Sequence, residues 1–360
     1  MKYRIAQLIA PTDLGASGTK VVDVNVNKMI SRIVITFKTT KASNGMSAGA
    51  PANIPKIELV TGSTPLHSLT GYENQALAYY SHPGIVLDHG QHVSTLSEFD
   101  TYIISFGRWL WDQELAFDPM RFVNPQLKIT WDEDVSDTSV TVNELTVWAY
   151  IFDEKQVSPI GFLQAIEHFD YTCGSANSYE PIELPEDHVI RQILVRAHRA
   201  GYEPWYQIDE ARFDEGTMDR IPFEFNNLEN YYRRMKSEWP MISQQVVVAP
   251  GSGGQDYYLP MTDYNAGIQL IGMGGTEEAY MTTAAARGGK FSLKTTTGVN
   301  LAGIAYGYLP WHCYQFPMGL KNDISDWYDP AGKKPRLRLR ASSSGSSGTG
   351  QVVIEELHKY

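Results

Sequence analysis

Cysteine is nearly missing. The 360 residues include only Cys173 and Cys313, too few for a disulfide framework, which points to synthesis and assembly in a reducing cytoplasm. No apolar run approaches the ~20 residues that a membrane-spanning helix needs. The opening stretch Met1–Pro11 has basic residues but too short an apolar run for a secretory signal. Cations are in the minority, 30 Lys and Arg against 41 Asp and Glu, for a net charge of −11. A dedicated nucleic-acid binder needs a basic patch to displace counterions. No such half or tail is present: residues 1–155 stand at −5 and the remainder at −6. Disorder is excluded for most of the chain by 42% apolar residues, aromatics at 12% among them.

Helical periodicity is also scarce, and strand-like runs dominate. Short β-branched or aromatic segments stand at Lys20–Asn25, Ile30–Phe37, Lys56–Val60, Tyr102–Phe106, Leu127–Trp131 and Leu145–Phe152. Turn-rich stretches at Ala42–Asn53, His82–Gly90 and Glu133–Ser139 separate them. The pattern predicts an all-β sandwich of many strands. Two helices are expected. One runs to Tyr80 behind a capping box of Thr70 and Glu73, and another covers Phe162–His168.

The chain also resembles itself. At an offset of 160, Val22–Val24 falls on Ile182–Leu184 and Met29–Ile35 on Val189–Val195, with apolar positions coinciding. At 210 to 211, Asp118-Pro119 matches Asp329-Pro330, and Pro125–Ile129 matches Pro335–Leu339. Each block then passes a polar hairpin into a last strand, Glu144–Phe152 or Gln351–Leu357. The difference in offsets requires roughly 50 extra residues in the second module, placed at about 246–299, with strand-like pieces at Gln255–Leu259 and Gly267–Ile271.

Signatures of chemistry are weak. Asp88-His89-Gly90-Gln91-His92 with Glu98 lacks the spacing of a metal site and reads as solvated loop histidines. His312 beside Cys313 reads as an exposed His and a buried Cys, because neighbours on a strand point oppositely. Asp132–Asp137 resembles a calcium loop but lacks its Gly and distal Glu, and reads as an acidic hairpin. Its counterpart Ser342–Gly350 holds only Ser, Gly and Thr and ligates nothing. Pro250–Gly254 and Gly272–Gly275 lack the context of phosphate loops. Lys334, Arg336, Arg338 and Arg340 share one strand face, expected to be a solvated outer surface. Trp109, Trp111 and Trp205 are expected in the core or in subunit contacts. An alternative is a tandem β-sandwich that binds or cleaves carbohydrate through Trp109–Glu114 or Trp327–Asp329.

The order of segments resembles the double jelly-roll major capsid proteins of tailless icosahedral phages, archaeal viruses and several eukaryotic DNA viruses. Lys56–Val60, Gly62–Thr64 and Leu69–Glu73 are similar to the strand, turn and short helix early in the first jelly roll. Tyr102–Phe106, Leu115–Phe122 and Asn124–Leu127 are similar to the segment ahead of its last strands. The second module departs more, with its helix blurred around Leu228–Tyr232 and its long insertion unmatched in the first. The resemblance implies two tandem eight-stranded jelly-roll β-sandwiches, at 1–155 and 156–360. It implies homotrimers forming pseudo-hexameric capsomers that tile a virion shell. Expected partners are the chain itself, neighbouring capsomers and minor capsid or vertex proteins, with an internal membrane or another protein facing the genome. No enzyme activity, cofactor, catalytic or metal residue, or direct sequence-specific nucleic-acid binding is implied.

Overall fold

A computed structural model describes the chain apart from residues 83–89, 134, 137–139, 217, 252, 264–265, 273–281, 286, 295–299 and 345–346, and apart from the side chains of 140–142 and 282–285. The first sandwich uses β1 (Tyr3–Asp13), β2 (Ser17–Asp23), β3 (Ile30–Lys41), β4 (Lys56–Thr61), β5 (Thr64–Leu69), helix α1 (Gly71–Ser81), β6 (Gly90–His92), β7 (Ser97–Ser105), β8 (Pro125–Asp132) and β9 (Val140–Phe152). The second opens with β10 (Gly161–Thr172), β11 (Tyr179–Glu183), β12 (Val189–His198), β13 (Ile208–Glu215), β14 (Arg220–Phe225) and α2 (Leu228–Met235). An insertion follows: β15 (Ile242–Val248), β16 (Gln255–Tyr258), β17 (Gly267–Gly272), β18 (Thr282–Ala285), β19 (Lys290–Leu293) and β20 (Leu301–Gly307). The second sandwich closes with β21 (Cys313–Pro317), β22 (Pro335–Ala341) and β23 (Thr349–Lys359).

The two sandwiches have one topology. Sheet order β1-β9-β3-β7 repeats as β10-β23-β12-β21, and β2-β8-β4-β5 repeats as β11-β22-β13-β14. The repeat extends to single hydrogen bonds. Ile30 and Phe117 exchange backbone bonds of 2.8 and 2.9 Å, and Ile190 and Tyr328 exchange the same two at 2.8 and 3.1 Å. The β3–β9 ladder bulges between Ile30 and Arg32, and the β12–β23 ladder between Ile190 and Gln192. Asp118 accepts from the Met120 N–H at 3.1 Å, as Asp329 does from Ala331 at 3.1 Å. These are two all-β, eight-stranded jelly rolls with the offsets read in the sequence.

Alternation places the cores. Along β3, Ile33, Ile35 and Phe37 turn inward and are fully buried, each worth about 1.5–3 kcal/mol relative to exposure. One apolar cluster fills the first sandwich, and a larger one fills the second and takes in Ala76, Leu77, Tyr79 and Tyr80 of α1. Helix α1 has its capping box, with Thr70 Oγ1 accepting from Glu73 N at 3.3 Å and Thr70 N donating to Glu73 at 2.8 Å. It is buried almost all round, because it lies between the sandwiches. Asn227 caps α2, the counterpart of α1.

Phe162–His168 is a strand, β10, contrary to the helical expectation. The first five residues of β10 are buried on both faces, so apolar side chains at successive positions blur the period of two that marks a half-buried strand. β10 joins the halves, since Ile166 bridges Ser68 of β5 in parallel and merges two four-stranded sheets into one of eight.

The insertion forms its own layer. β18-β17-β20-β15 makes a sheet at one end of the sandwiches, and β6 from the first half completes it, Val247 facing Gln91. β16 and β19 pair beside it.

β12 and β23 are buried on both faces, although the face turned toward the first sandwich is polar. There Arg191 lies 2.6 Å from Glu355, Gln192 donates to Glu355 at 2.5 Å and to Ser81 of α1 at 2.9 Å, and Arg191 Nε donates to the Lys321 carbonyl at 3.1 Å. Removing one partner of such a buried pair leaves the other charge unpaired. Arg191→Met is expected to cost about 3–5 kcal/mol in urea unfolding, and Arg191→Met with Glu355→Leu to cost clearly less. Equal losses in the single and double variants would contradict this account.

Candidate functional site

The chemistry-bearing residues are mostly structural. His92, read as a solvated loop residue, is instead buried at the end of β6, with Nδ1 3.3 Å from Lys41 Nζ and 3.5 Å from Glu98. Lys41 and Glu98 form a buried ion pair. Burial pushes the His92 imidazole down to about 4, with the Glu98 charge opposing and Lys41 reinforcing the shift. The sequence hid this because β6 docks on β15, far along the chain. His89 lies outside the described residues.

His312 is likewise buried, not exposed. Leu309, Trp311 and His312 all have positive φ, so the segment before β21 is a tight turn and strand alternation does not apply to it. His312 Nε2 sits 3.2 Å from the Tyr202 carbonyl, and its ring meets His198 edge-on at 4.9 Å. Cys313 is buried, as expected, and desolvation holds its thiol well above the ordinary range. A thiol held protonated is a poor nucleophile. Among the described residues, no three His, Cys, Asp or Glu side chains come together to hold a metal ion.

The cationic strand is not simply a solvated face. Arg336 reaches the fully buried Asp214 at 2.8 Å, and Arg340 reaches Asp209 and Glu210, each at 2.8 Å. Arg338 lies over the Tyr179 ring at 5.2 Å. In register, Glu210 faces Arg340 and Asp214 faces Arg336, while Arg212 faces Arg338 and itself turns to Asp214 and Glu224, so the surface is a cross-strand charge lattice with like charges only at its middle rung. Its signal was in the sequence, in the acids Asp209, Glu210 and Asp214 of one strand, but only the strand register assigns the partners.

The tryptophans form no common platform. Trp205 is buried and stacked on Tyr232 at 5.4 Å. Trp111 packs on Tyr3 at 4.5 Å and Phe152 at 5.4 Å. Trp109 is exposed beneath the Arg108 guanidinium, and Trp327 is buried with Nε1 donating to the Leu320 carbonyl at 3.0 Å. Parts of Asp132–Asp137, Ser342–Gly350, Pro250–Gly254 and Gly272–Gly275 lie outside the described residues.

What the surface does offer is an open groove that the sequence reading missed. It lies on the flank of the second sandwich, encloses about 440 Å³, and is lined by Phe223, Phe225, Tyr231, Met235, Phe316 and Met318. Phe225 meets Tyr231 at 4.2 Å, and Phe223 meets Phe316 at 5.4 Å. The outer edge of β14 beside it has no strand partner among the described residues. The Phe-x-Phe alternation of β14 was the available sign, since apolar residues on an outer strand must face something.

No protein-family model matches the chain, and no curated protein matches it by sequence. The fold is the double jelly roll of icosahedral-virus major capsid proteins. Over 99% of its length the chain is similar to the major capsid protein P2 of bacteriophage PM2, covering 98% of that chain at TM-score 0.56 and 10% identity. It is similar to the major capsid protein of Sulfolobus turreted icosahedral virus over 96% of that chain, at TM-score 0.58 and 9% identity. VP54 of PBCV-1 is matched over 93% of its length, at TM-score 0.51 and 10% identity.

Burial also fixes a pH response. Desolvation lowers the imidazoles of His67, His82 and His198 to about 3 and that of His312 well below its ordinary value, as it lowers His92. As pH falls through ~6.5 the unfolded chain takes up these protons and the folded chain does not, so stability is lost. Glu73, raised to about 7 by burial, and the raised Glu356 act in the opposite direction. The lowered histidines outnumber these two carboxyls, so stability falls as pH drops from ~6.5 toward ~5. The urea midpoint should drop steeply over that range, with a shallower fall in His198→Gln. A midpoint that held or rose would be the contrary result.

Proposed function

We propose that this chain is the major capsid protein of an icosahedral virus. Three copies associate into a capsomer of pseudo-hexameric outline, and capsomers tile the virion shell. The jelly rolls divide the chain at 1–155 and 156–360, and the insertion at about 246–299 belongs to a tower at one end of the capsomer. The protein works as a structural brick without catalysis or cofactor. Its partners are other copies of itself and minor capsid or vertex proteins, with an internal membrane or another protein facing the genome. It is made and assembled in the host cytoplasm.

The observation that carries this reading is the exact repetition of one jelly roll inside one chain, coupled side by side through β5 and β10. A chain that presents one brick twice in nearly equivalent settings supplies six from three copies, which is what a hexagonally packed shell consumes. A net charge of −11 keeps the free subunit soluble. The fold shared with the PM2 and Sulfolobus-virus capsid proteins supports the same role.

Light scattering of the purified protein should give about 121 kDa, three times the 40.4-kDa chain, with hexagonal outlines in negative stain. A monomer or dimer that is also stabilised by a sugar or a metal would overturn the proposal.

A further inference from the structure

The open groove has a filled counterpart in the same chain. Leu59 faces Leu127 and His67, and Phe213 faces Leu337 and Phe223, so His67 corresponds to Phe223 and Ser68 to Glu224. Phe106 N donates to the Ser31 carbonyl at 3.1 Å, as Met318 N does to that of Arg191 at 3.0 Å, so Phe106 corresponds to Met318. In the first sandwich this position is closed by β10. Leu163 and Ala165 sit against His67, Ala78 and Ser105, and only about 10 Å³ of space remains. Leu163 N donates to the Phe106 carbonyl at 2.9 Å, and Ile166 bridges Ser68.

The strand corresponding to β10 is β1. Both pair with the last strand of their sandwich, and both ladders shift at the matching place, between Gln7 and Ile9 or between Glu167 and Phe169. Tyr3 then stands for Leu163, Ile5 for Ala165 and Ala6 for Ile166. β10 docks within its own chain, whereas β1 is an outer strand of its sheet and leaves Ile5 52% exposed. Each chain therefore carries one unfilled groove beside β14 and one strand of the kind that fills it.

We propose that the groove lined by Phe223, Phe225, Phe316 and Met318 receives β1 of a second copy of this chain, lying parallel to β14. Ala6 of the incoming strand bridges Glu224, and Tyr3 N–H donates to the second lone pair of the Met318 carbonyl, whose first accepts from the Tyr328 N–H at 2.9 Å. The Ile5 side chain enters the groove while the Tyr3 ring stays on Trp111. This rests on the trimer proposed above and names its contact. The contact is head-to-tail, each copy giving one strand and taking one, which is the kind that closes into a ring.

Two measurements test it. Ile5→Arg changes an exposed side chain, so the thermal unfolding of the isolated chain should be unchanged while the trimer's dissociation midpoint rises at least about a hundredfold. Ala6→Cys combined with Glu224→Cys should give chains linked to one another on oxidation, and neither single variant should, because Cys173 and Cys313 are buried. A wild-type trimer that persists in Ile5→Arg and yields no link in the double variant would overturn this contact and leave the trimer standing. A wild type that stays monomeric and unlinked would overturn both.

Discussion

The constraint on which the molecule depends is that the two central strands of one sheet of the second jelly roll have water on neither side. β12 and β23 turn apolar residues into their own sandwich and turn Gln192, Arg196, Gln351 and Glu355 toward the first. Polar groups taken out of water need partners. They find them in each other and in α1: Arg196 donates to Gln351 at 2.6 Å and lies over the Tyr72 ring at 4.3 Å, while Trp311 donates to Gln75 at 2.8 Å and Tyr80 to the Cys313 carbonyl at 2.7 Å. Directional bonds of this kind admit few alternative docking angles. The seam thereby sets the relation of the two sandwiches, which apolar contact alone would leave freer to slide.

Helix α1 is the piece through which the first sandwich reaches the second. Its sequence mixes Glu73, Asn74, Gln75, Tyr79 and Tyr80 without a clean apolar stripe, which is unsuited to a surface helix and suited to one enclosed on all sides. Asn74 accepts from the Ile103 N–H at 2.8 Å, so the helix is also tied to the edge of β7. α2, by contrast, keeps Arg233 and Arg234 in the solvent, because nothing in the single chain stands where the second sandwich stands for α1. The asymmetry between α1 and α2 is the asymmetry between a filled side and an open one.

Much of the architecture was legible from the order of residues. The alternation of Ile30–Phe37 and Leu127–Trp131, the Asp-Pro pairs and the Thr70–Glu73 box all lie within short windows, where local periodicity and turn chemistry decide the outcome. What stayed hidden depends on surroundings. β10 looked helical because both of its faces are covered, and Tyr3–Asp13 was not anticipated as a strand because its half-exposed pattern, with Ile5 out and Pro11 near its end, lacks clean alternation. The burial of His92 and His312 and the pairing of Arg336 and Arg340 are set by segments remote in sequence. No window around those residues contains their partners. The aromatic groove is a property of an absence, the missing strand beside β14, and becomes visible only when one repeat is laid on the other.

The three residues of β6 have a consequence for the order in which the chain can be built. All eight strands of the first jelly roll lie within β1 to β9, so that sandwich can pair its own strands once Phe152 has left the ribosome, with the outer edge of β5 left for β10. β6 cannot finish with it, because its parallel partner β15 ends at Val248, nearly a hundred residues later. Loop closure over such distances is slow compared with local hairpins. Lys41 and Glu98 already meet across β3 and β7, so it is the His92 ring beside them that must wait for the insertion to arrive. The first jelly roll is finished last at that end, and the insertion acts as the latch that completes a domain synthesised long before it.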